Sequence, residues 1–344
     1  MLNRVTLSVD AMGGDFGPHV TLPASLSALE RHPYLNILLF GEVDQLDSLL
    51  ARQRISESIM SRLQIRPSGI SVSMDEKPSA AIRHRQDSSM SLAVQAVADN
   101  KAGACISAGN TGALMAFGRL VLKMQPGIDR PAIIASVPTL AGHCYMLDLG
   151  ANVDCSAEHL MQFAVMSSVM VEAVDGNLHP KVGLLNVGEE LIKGNEQVRL
   201  ANELIREQDG LNYIGYVEGD DVFAGKADIV VCDGFVGNVS LKSSEGLARL
   251  ISKRVLQGFS RNLYRRCLAF LARPVLKEIQ EQIDPSRRNG ATLLGLQGIV
   301  MKSHGSADQK CFGYALDRAI TEVVQNVPEK IAERLSGYLP SKRN

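Results

Sequence analysis

Ala227-Asp-Ile-Val-Val-Cys-Asp-Gly-Phe-Val-Gly-Asn-Val-Ser-Leu-Lys-Ser-Ser-Glu-Gly246 is the stretch that decides the fold of this chain. Its apolar, β-branched run from Ile229 to Cys232 predicts a buried strand, and two glycines follow before a long helical pattern. In open parallel sheets, ligands bind beyond the carboxyl ends of the strands, where the next helix points its N-terminus at an anion. Asp233 and Asn238 flank this turn, and taken alone they fit turn formation as well as ligand binding.

The same order of strand, polar glycine loop and helix recurs along the chain. At least six predicted strands run into loops rich in Gly, Asn and Asp, at 10–18, 108–112, 148–154, 188–196, 233–238 and 303–308. Strands that alternate with helices indicate a mostly parallel sheet covered by helices. We therefore predict a single α/β catalytic domain over residues 1–344, with a three-layer α/β/α, Rossmann-like fold and all six loops at one edge of the sheet.

Charge and cysteine content narrow the class of protein. Thirty-six basic and thirty-seven acidic residues among 344 leave a net charge of -1, which argues against a nucleic-acid-binding protein. The six cysteines form no C-x-x-C pair, a pattern typical of reduced, buried thiols. We find neither a signal peptide nor a window of about 18 apolar residues, so we expect a cytoplasmic protein without a transmembrane anchor.

One segment contains far more basic than acidic residues, unlike the chain as a whole. Residues 246–277 contain eight basic and no acidic residues, interleaved with leucine, isoleucine, valine and phenylalanine. The basic residues are Arg249, Lys253, Arg254, Arg261, Arg265, Arg266, Arg273 and Lys277. We predict a protruding amphipathic helical insertion over 246–288. It fits a membrane interface, an acidic protein partner, or a structural role such as a dimer-forming hairpin.

Several familiar catalytic motifs are absent, which argues against nucleotide hydrolysis, serine hydrolysis and zinc peptidase chemistry. The sequence has no G-x-x-x-x-G-K-[ST], G-x-S-x-G, H-E-x-x-H or strand-linked G-x-G-x-x-G. The loops instead supply four amides, one lysine, one histidine and three carboxylates, on Asn110, Asn152, Asn195, Asn238, Lys193, His304, Asp10, Asp15 and Asp148. Such groups suit binding a small anion and polarising a carbonyl.

Each of these residues also has a structural interpretation. Lys193 lies beside acidic residues and a glycine, so it fits a solvated loop lysine. His304 precedes a glycine and fits a hydrogen bond to a neighbouring loop as well as acid–base chemistry. Asp10 and Asp15 could cap the first helix.

Taken together, the loops resemble one family, the bacterial phosphate acyltransferases of phospholipid synthesis. The resemblance runs through almost the whole chain. It is carried by Val9-Asp-Ala-Met-Gly-Gly-Asp15, Ser107-Ala-Gly-Asn-Thr-Gly-Ala-Leu-Met-Ala116, Leu147-Asp-Leu-Gly-Ala-Asn-Val-Asp154, Gly188-Glu-Glu-Leu-Ile-Lys-Gly-Asn-Glu196, Asp233-Gly-Phe-Val-Gly-Asn238 and Lys302-Ser-His-Gly305. Departures are small: Leu191 replaces a commonly acidic residue, and Cys311 stands where alanine is usual.

The resemblance implies that orthophosphate attacks the thioester of a long-chain acyl group on acyl carrier protein. Acyl phosphate and free carrier protein result, and a membrane-bound glycerol-3-phosphate acyltransferase then takes the acyl phosphate. The implied fold is similar to that of phosphotransacetylases and isocitrate-dehydrogenase-like enzymes, as a homodimer. The implied chemistry uses no metal and no cofactor, because phosphate is itself a nucleophile at neutral pH.

This chemistry suggests a role for each candidate residue. Lys193 is expected to neutralise phosphate and transition-state charge, Asn238 to donate to the carbonyl oxygen, and His304 to bind phosphate or protonate the departing thiol. The expected substrate and phosphate contacts are Asp10, Gly13, Gly14, Asp15, Asn110, Thr111, Gly112, Asn152 and Asn195. The expected membrane or carrier-protein contacts are Arg249, Lys253, Arg254, Arg261, Arg265 and Arg266.

Two other functions remain open at the level of sequence. A phosphotransacetylase-like enzyme would share these loops but take its acyl group from coenzyme A, so competition between the two thioesters distinguishes it. A noncatalytic scaffold at the membrane surface rests on the basic helices alone, and it predicts no phosphate-dependent release of thiol.

Overall fold

The computed structural model describes residues 4–338, apart from the side chains of 279–281, 283, 285, 337 and 338. Eleven strands are seen in this part of the chain: β1 Val5–Asp10, β2 Leu35–Gly41, β3 Leu63–Pro67, β4 Ala104–Ser107, β5 Ala132–Thr139, β6 Gly142–Leu147, β7 Lys181–Leu185, β8 Asn212–Val217, β9 Ile229–Val231, β10 Ala291–Leu294 and β11 Ile299–Lys302. They form one sheet in the order β3-β2-β1-β4-β11-β10-β5-β6-β9-β7-β8.

Helices connect most of these strands. They are α1 Pro18–Arg31, α2 Val43–Leu50, α3 Glu57–Met60, α4 Pro78–His84, α5 Ser89–Ala98, α6 Thr111–Phe117, α7 Ala157–Asp175, α8 Glu196–Arg206, α9 Gly219–Ala224, α10 Gly234–Ser260, α11 Leu263–Ile283, α12 Gln309–Val324 and α13 Val327–Tyr338. A π-helical turn, Gly118–Leu122, extends α6, and a 3₁₀ turn, Pro285–Arg288, follows α11.

The sheet is covered on both faces, which gives the three layers that the sequence predicts. On one half, Leu7 and Val9 of β1 pack in a core with α1 and α12, while Ser8 between them faces α5 and donates to the carbonyl of Ala93. On the other half, α7 is buried along most of its length. Strands covered on both faces read as continuous apolar runs rather than alternating ones, which is why the sequence located them well.

The two halves of the sheet run in opposite directions. Strands β1, β2, β3, β4 and β11 are parallel to one another, and so are β6, β7, β8 and β9. Between the halves, β10 is antiparallel to β11 and β5, and β5 is antiparallel to β6. Three reversals of strand direction therefore separate the halves, so the carboxyl ends of their strands lie at opposite edges of the sheet. The prediction that all six loops lie at one edge of the sheet is wrong.

Helices α10 and α11 form a hairpin that carries the basic segment. Helix α10 begins at Gly234, inside the glycine loop, and only Gly234 and Gly237 of its residues are buried. Large apolar side chains along the pair are exposed, among them Leu250, Leu256 and Phe270 at 54%, 70% and 73%. Within residues 4–338, no helix is long and apolar enough to cross a membrane.

Candidate active site

Asp10 is a buried carboxylate that ties three elements together at the end of β1. Its oxygens accept hydrogen bonds from Ser89 Oγ at 2.5 Å and Ser107 Oγ at 2.6 Å. Burial raises the pKa of Asp10, and the two hydroxyl groups together with the Met12 and Gly13 amides oppose that rise. Both oxygens are occupied by these donors, so Asp10 organises the loop, and its predicted contact with substrate stays a prediction.

Glycine allows three loops to meet beside Asp10. A Cβ atom at Gly13 would lie 2.5 Å from Asp10 Oδ2, and one at Gly14 would lie 2.9 Å from both Ala108 Cβ and the carbonyl oxygen of Gly305. Gly14 also has a φ of 88°, in the left-handed region that favours glycine. The loops after β1, β4 and β11 are therefore in direct contact, as the sequence suggested for strands of one sheet edge.

Lys302, at the end of β11, reaches into the same junction. Its ammonium donates to the carbonyl of Ala108 at 3.2 Å and to that of Ser303. Burial lowers its pKa to about 8; the negative charge of Asp10 opposes this shift and the Lys242 ammonium adds to it. Lys302 has no predicted role from the sequence. The available signal was a lysine that ends an apolar strand directly before a glycine loop.

Asp148, at the end of β6, organises the loop of the other half. Its Oδ1 accepts hydrogen bonds from the amides of Ile133, Gly150 and Ala151 at 2.9–3.2 Å, and its Oδ2 accepts from the backbone and the side-chain amide of Asn152. The Asn152 side chain also donates to a backbone carbonyl. Asn152 thus holds the loop, and its predicted substrate contact stays a prediction.

The first turn of α10 packs directly on this loop. A Cβ atom at Gly237 would lie 2.0 Å from the carbonyl oxygen of Asp148, and one at Gly234 would lie 2.5 Å from that of Asn152. The Gly234 amide donates to the same Asn152 carbonyl at 2.8 Å. Asp233 caps the helix by accepting from the Val236 amide at 2.8 Å, so its interpretation as a turn former is confirmed.

Asn238 lies exposed at the start of the second turn of α10, next to Gly150. A Cβ atom at Gly150 would lie 3.5 Å from Asn238 Cβ and 3.8 Å from its side-chain oxygen. Gly150 therefore leaves the space beside the amide open. No protein group in residues 4–338 forms a hydrogen bond with the Asn238 side chain, whereas Asn110 and Asn152 donate to protein groups and Asn195 accepts from a helix amide. Its amide is available to a ligand.

Two predicted asparagines and their neighbours serve the loops themselves. Asn110 caps α6 and donates to the backbone carbonyls of Ser73, Met74 and Glu76. A Cβ atom at Gly112 would lie 2.8 Å from the side chain of Pro78, so this glycine lets α6 pack on α4. Thr111 is the first residue of α6. Asn195 caps α8 by accepting from the Val198 amide. Their predicted roles in binding phosphate stay predictions.

Lys193 lies on the loop after β7, two strands away from Asp148. Its side chain is 48% exposed, and its ammonium is 4.0 Å from a carboxylate oxygen of Glu190. The residues before it are apolar and exposed, Leu191 at 64% and Ile192 at 81%. The loops after β7 and β9 follow neighbouring parallel strands, which places Lys193 on the same side as Asn238.

Helix α10 connects the two groups of loops. Lys242 stands one turn, about 6 Å, beyond Asn238 along the helix axis. Partial desolvation lowers the pKa of His304, and the nearby charges of Lys242, Lys302 and Arg249 lower it further against the opposing charge of Glu245. Charges on α10, which begins at a loop of one half of the sheet, therefore act on His304 at a loop of the other half.

The hydrogen bonds of His304 define its neutral tautomer. Its Nδ1 accepts from the Ser306 amide at 3.3 Å and lies 2.9 Å from Ser306 Oγ. A backbone amide can only donate, so the proton of the neutral ring is on Nε2. The backbone of His304 is held by Asn289, whose side chain also donates to Ser303 Oγ and to the carbonyl of Cys311. His304 therefore offers an N–H donor without carrying charge.

We expect substitution of Lys242 by methionine to raise the pKa of His304. The change removes a cation that disfavours the imidazolium, and it frees Glu245, which accepts from Lys242 at 3.2 Å, to favour it. NMR titration of the His304 ring measures the shift. Wild-type His304 should protonate at lower pH than the variant.

Lys253→Met provides the matched control, because it removes the same charge from the same helix about three turns further on. It should leave the His304 titration unchanged. An unshifted or lowered pKa in Lys242→Met would contradict the approach of α10 to the His304 loop.

Comparison with known proteins places this arrangement among proteins of lipid synthesis. A family model described as "Fatty acid synthesis protein" matches residues 5–330. The chain is 54% identical over its whole length, and over the whole relative, to the phosphate acyltransferase of Alkalilimnicola ehrlichii. It is 55% identical to that of Pseudomonas savastanoi pv. phaseolicola, over 96% of each chain.

Solved structures share the fold at much lower sequence identity. A phosphotransacetylase from Streptococcus pyogenes superposes with a TM-score of 0.61, at 16% identity, and covers 96% of this chain and 94% of its own. The prediction of a phosphotransacetylase-like α/β fold is thereby confirmed.

Proposed function

Because the chain belongs to the fatty acid synthesis protein family and to its phosphate acyltransferases, we propose that it transfers a long-chain acyl group from acyl carrier protein to orthophosphate. Membership of this family establishes acyl transfer to phosphate. The choice of acyl carrier protein as the acyl donor is our proposal. The products are acyl phosphate and the free carrier thiol. We propose that a membrane-bound glycerol-3-phosphate acyltransferase consumes the acyl phosphate.

The observation that carries this proposal is the unengaged amide of Asn238 beside Gly150. When phosphate adds to a thioester, negative charge develops on the carbonyl oxygen, and a fixed N–H donor stabilises that charge in a site with little water. The side-chain amides of Asn110 and Asn152 donate to the protein itself, whereas that of Asn238 is free to donate to the carbonyl oxygen.

Lys193 and His304 supply the remaining groups in this proposal. The Lys193 ammonium lies on the adjacent loop and would neutralise phosphate as it attacks. His304, neutral with a proton on Nε2, would bind phosphate or pass that proton to the departing sulfur. The protein's part is orientation and charge stabilisation, since phosphate supplies the nucleophile.

A release assay with purified protein tests the function. Long-chain acyl carrier protein is incubated with and without phosphate, free thiol is measured with a chromogenic disulfide, and acyl phosphate is trapped with hydroxylamine. We expect thiol release that depends on phosphate and matches the trapped acyl phosphate. Faster turnover of acyl-coenzyme A in direct competition would favour the phosphotransacetylase-like alternative, and no release from either thioester would contradict an acyltransferase.

We propose that the hairpin α10–α11 docks on an anionic membrane. Arg261, Arg265 and Arg266 are exposed at its tip, where Leu263 at 79% and Tyr264 at 71% are exposed as well. Exposed cations beside exposed apolar side chains are typical of interfacial helices. The same positive charge would attract the acidic carrier protein, and a homodimer built on the hairpin is the competing arrangement.

Replacing Arg261, Arg265 and Arg266 together by glutamate should release the protein from anionic vesicles. Each basic residue near such a surface contributes on the order of 1 kcal/mol, so the loss of three weakens binding by about 100-fold or more. Flotation with phosphatidylglycerol vesicles measures this. Turnover of a water-soluble short-chain thioester should be retained.

A variant with the same total charge change elsewhere separates local contact from net charge. Arg52, Arg54 and Lys330 are exposed outside the hairpin, and their replacement by glutamate should leave flotation nearly unchanged. If the tip variant still floats with the vesicles but becomes monomeric, the hairpin is a dimer contact instead.

A further inference from the structure

Lys302 is a desolvated cation without a neutralising partner in direct contact. Within residues 4–338 its ammonium forms no ion pair within 4.0 Å, and its two described acceptors are the uncharged carbonyls of Ala108 and Ser303. An ammonium group has three N–H donors. Two are therefore used, and the third has no described protein acceptor. Taking a charge from water without pairing it is unfavourable, so such a site favours an anionic ligand.

The nearby carboxylates do not fill this role. Asp10 is close enough to raise the pKa of Lys302, but its oxygens accept from Ser89 and Ser107. Asp15 also acts on Lys302 only at a distance, and its effect on the pKa of Lys302 is smaller than those of Asp10 and Lys242. The cation is thus held by the fold in a fixed place while its charge remains available.

The position of Lys302 fits the nucleophile rather than the acyl group. It lies where the loops after β1, β4 and β11 meet, beside Gly14 and Ala108 and next to His304. Asn238, proposed for the carbonyl oxygen, belongs to the other half of the sheet. A phosphate bound at Lys302 would therefore lie at the loops of one half of the sheet, and the carbonyl oxygen at Asn238 of the other.

We propose that Lys302 is a further catalytic residue, which binds orthophosphate through its third N–H and holds it for attack on the thioester. This proposal rests on the proposed function. In it, Lys193 adds its positive charge from the loop after β7, in the other half of the sheet. In the reaction an oxygen of hydrogen phosphate forms a bond to the carbonyl carbon and the carbon–sulfur bond breaks. The sulfur leaves with the electron pair and takes up one proton, which is balanced by the proton that hydrogen phosphate loses on becoming acyl phosphate. The phosphate group remains anionic throughout, which keeps it paired with Lys302.

Substitution of Lys302 by methionine keeps most of the length of the side chain and removes its charge. We expect the KM for phosphate to rise by roughly 10- to 100-fold, in the range of a lost charge-assisted hydrogen bond, while the KM for the acyl thioester changes little. Lys302→Arg should recover part of the phosphate affinity. Lys330→Met, on the exposed surface of α13, is the matched control and should behave as wild type.

Phosphate binding is measured separately from turnover. A ligand that binds only the folded state raises the melting temperature, so wild-type protein should melt higher with increasing phosphate and Lys302→Met should not. If Lys302 only tethers its loop, thermal stability falls but the phosphate-dependent increment and the phosphate KM are unchanged, which overturns the proposal. If wild type shows the increment but no thiol release, the acyltransfer proposal fails while the phosphate site stands.

Discussion

Substitution of Asn238 by alanine is expected to lower kcat for phosphate-dependent thiol release by ~10²- to 10³-fold, the typical effect of removing one oxyanion donor. The amide forms no hydrogen bond with another protein group in the described residues, and it lies beside the space that Gly150 leaves open. Its bond to the carbonyl oxygen strengthens as charge develops, so the loss should fall on kcat while the KM for both substrates changes little. Steady-state kinetics with acyl carrier protein thioester measures this.

Two further variants make the result specific. Asn238→Asp keeps the shape of the side chain but replaces the N–H donor with a carboxylate, so it should lose at least as much activity as Asn238→Ala. Ser243→Ala, exposed further along α10, should keep wild-type turnover. The oxyanion assignment would be wrong if Asn238→Asp remained active, because an anionic side chain cannot donate to an oxyanion.

The individual strands and loops could be predicted because their causes are local. Apolar runs such as Ala104–Ser107 end at glycine, and Ser88, Asp233 and Asp308 each cap a helix through a backbone amide, as their sequence context indicates. The direction of the strands could not be predicted in this way. Strand β10, Ala291–Leu294, is only four residues long, and the sheet reverses direction there and at its neighbour β5.

The site shows the same division between local and distant causes. Sequence pattern located the polar loops, but it could not tell which amides would be consumed by the fold. Asn110 bonds to carbonyls at residues 73, 74 and 76, and Asn152 to the carbonyl of Pro131. Those partners come from distant segments, so only the assembled chain separates Asn238 from Asn110 and Asn152.

The buried charges were hidden from the sequence for a related reason. Lys302 and Asp10 look like ordinary residues at strand ends, and their significance lies in the loss of water around them. This loss lowers the pKa of Lys302 and raises the pKa of Asp10. Desolvation depends on all the elements packed around a group. A run of basic residues, in contrast, is visible in composition alone, and in the structure it lies on α10 and α11.

Asp148 carries the largest expected effect on stability. Its carboxylate accepts five hydrogen bonds, from four backbone amides and the side chain of Asn152, in the loop on which the first turn of α10 packs. Substitution by alanine relieves the burial of a charge but leaves these donors without an acceptor, at about 1–3 kcal/mol for each that water cannot reach. We expect a net loss of about 3–5 kcal/mol in the free energy of unfolding.

Chemical denaturation measures this loss, with Asp99→Ala on the surface as a control that should change little. Asp148→Asn should fall between alanine and wild type, since its oxygen can still accept from Ile133, Gly150 and Ala151, while its amide meets the donors of Asn152. Gly150 belongs to the same loop and packs beside Asn238, so Asp148→Ala should also reduce turnover.

The stability gap between wild type and Asp148→Ala should also depend on pH, with a sign that the burial of Asp148 determines. Burial raises the pKa of Asp148 in the folded state above its ordinary value of 3.8. The folded protein therefore binds this proton more tightly than the unfolded chain, and the linked stability grows as pH falls through the folded pKa and is lost as pH rises through it. Because the alanine variant has no such proton, the gap should widen from neutral pH toward pH ~4. A gap that narrows over the same range would mean that the five donors outweigh burial and hold Asp148 ionised.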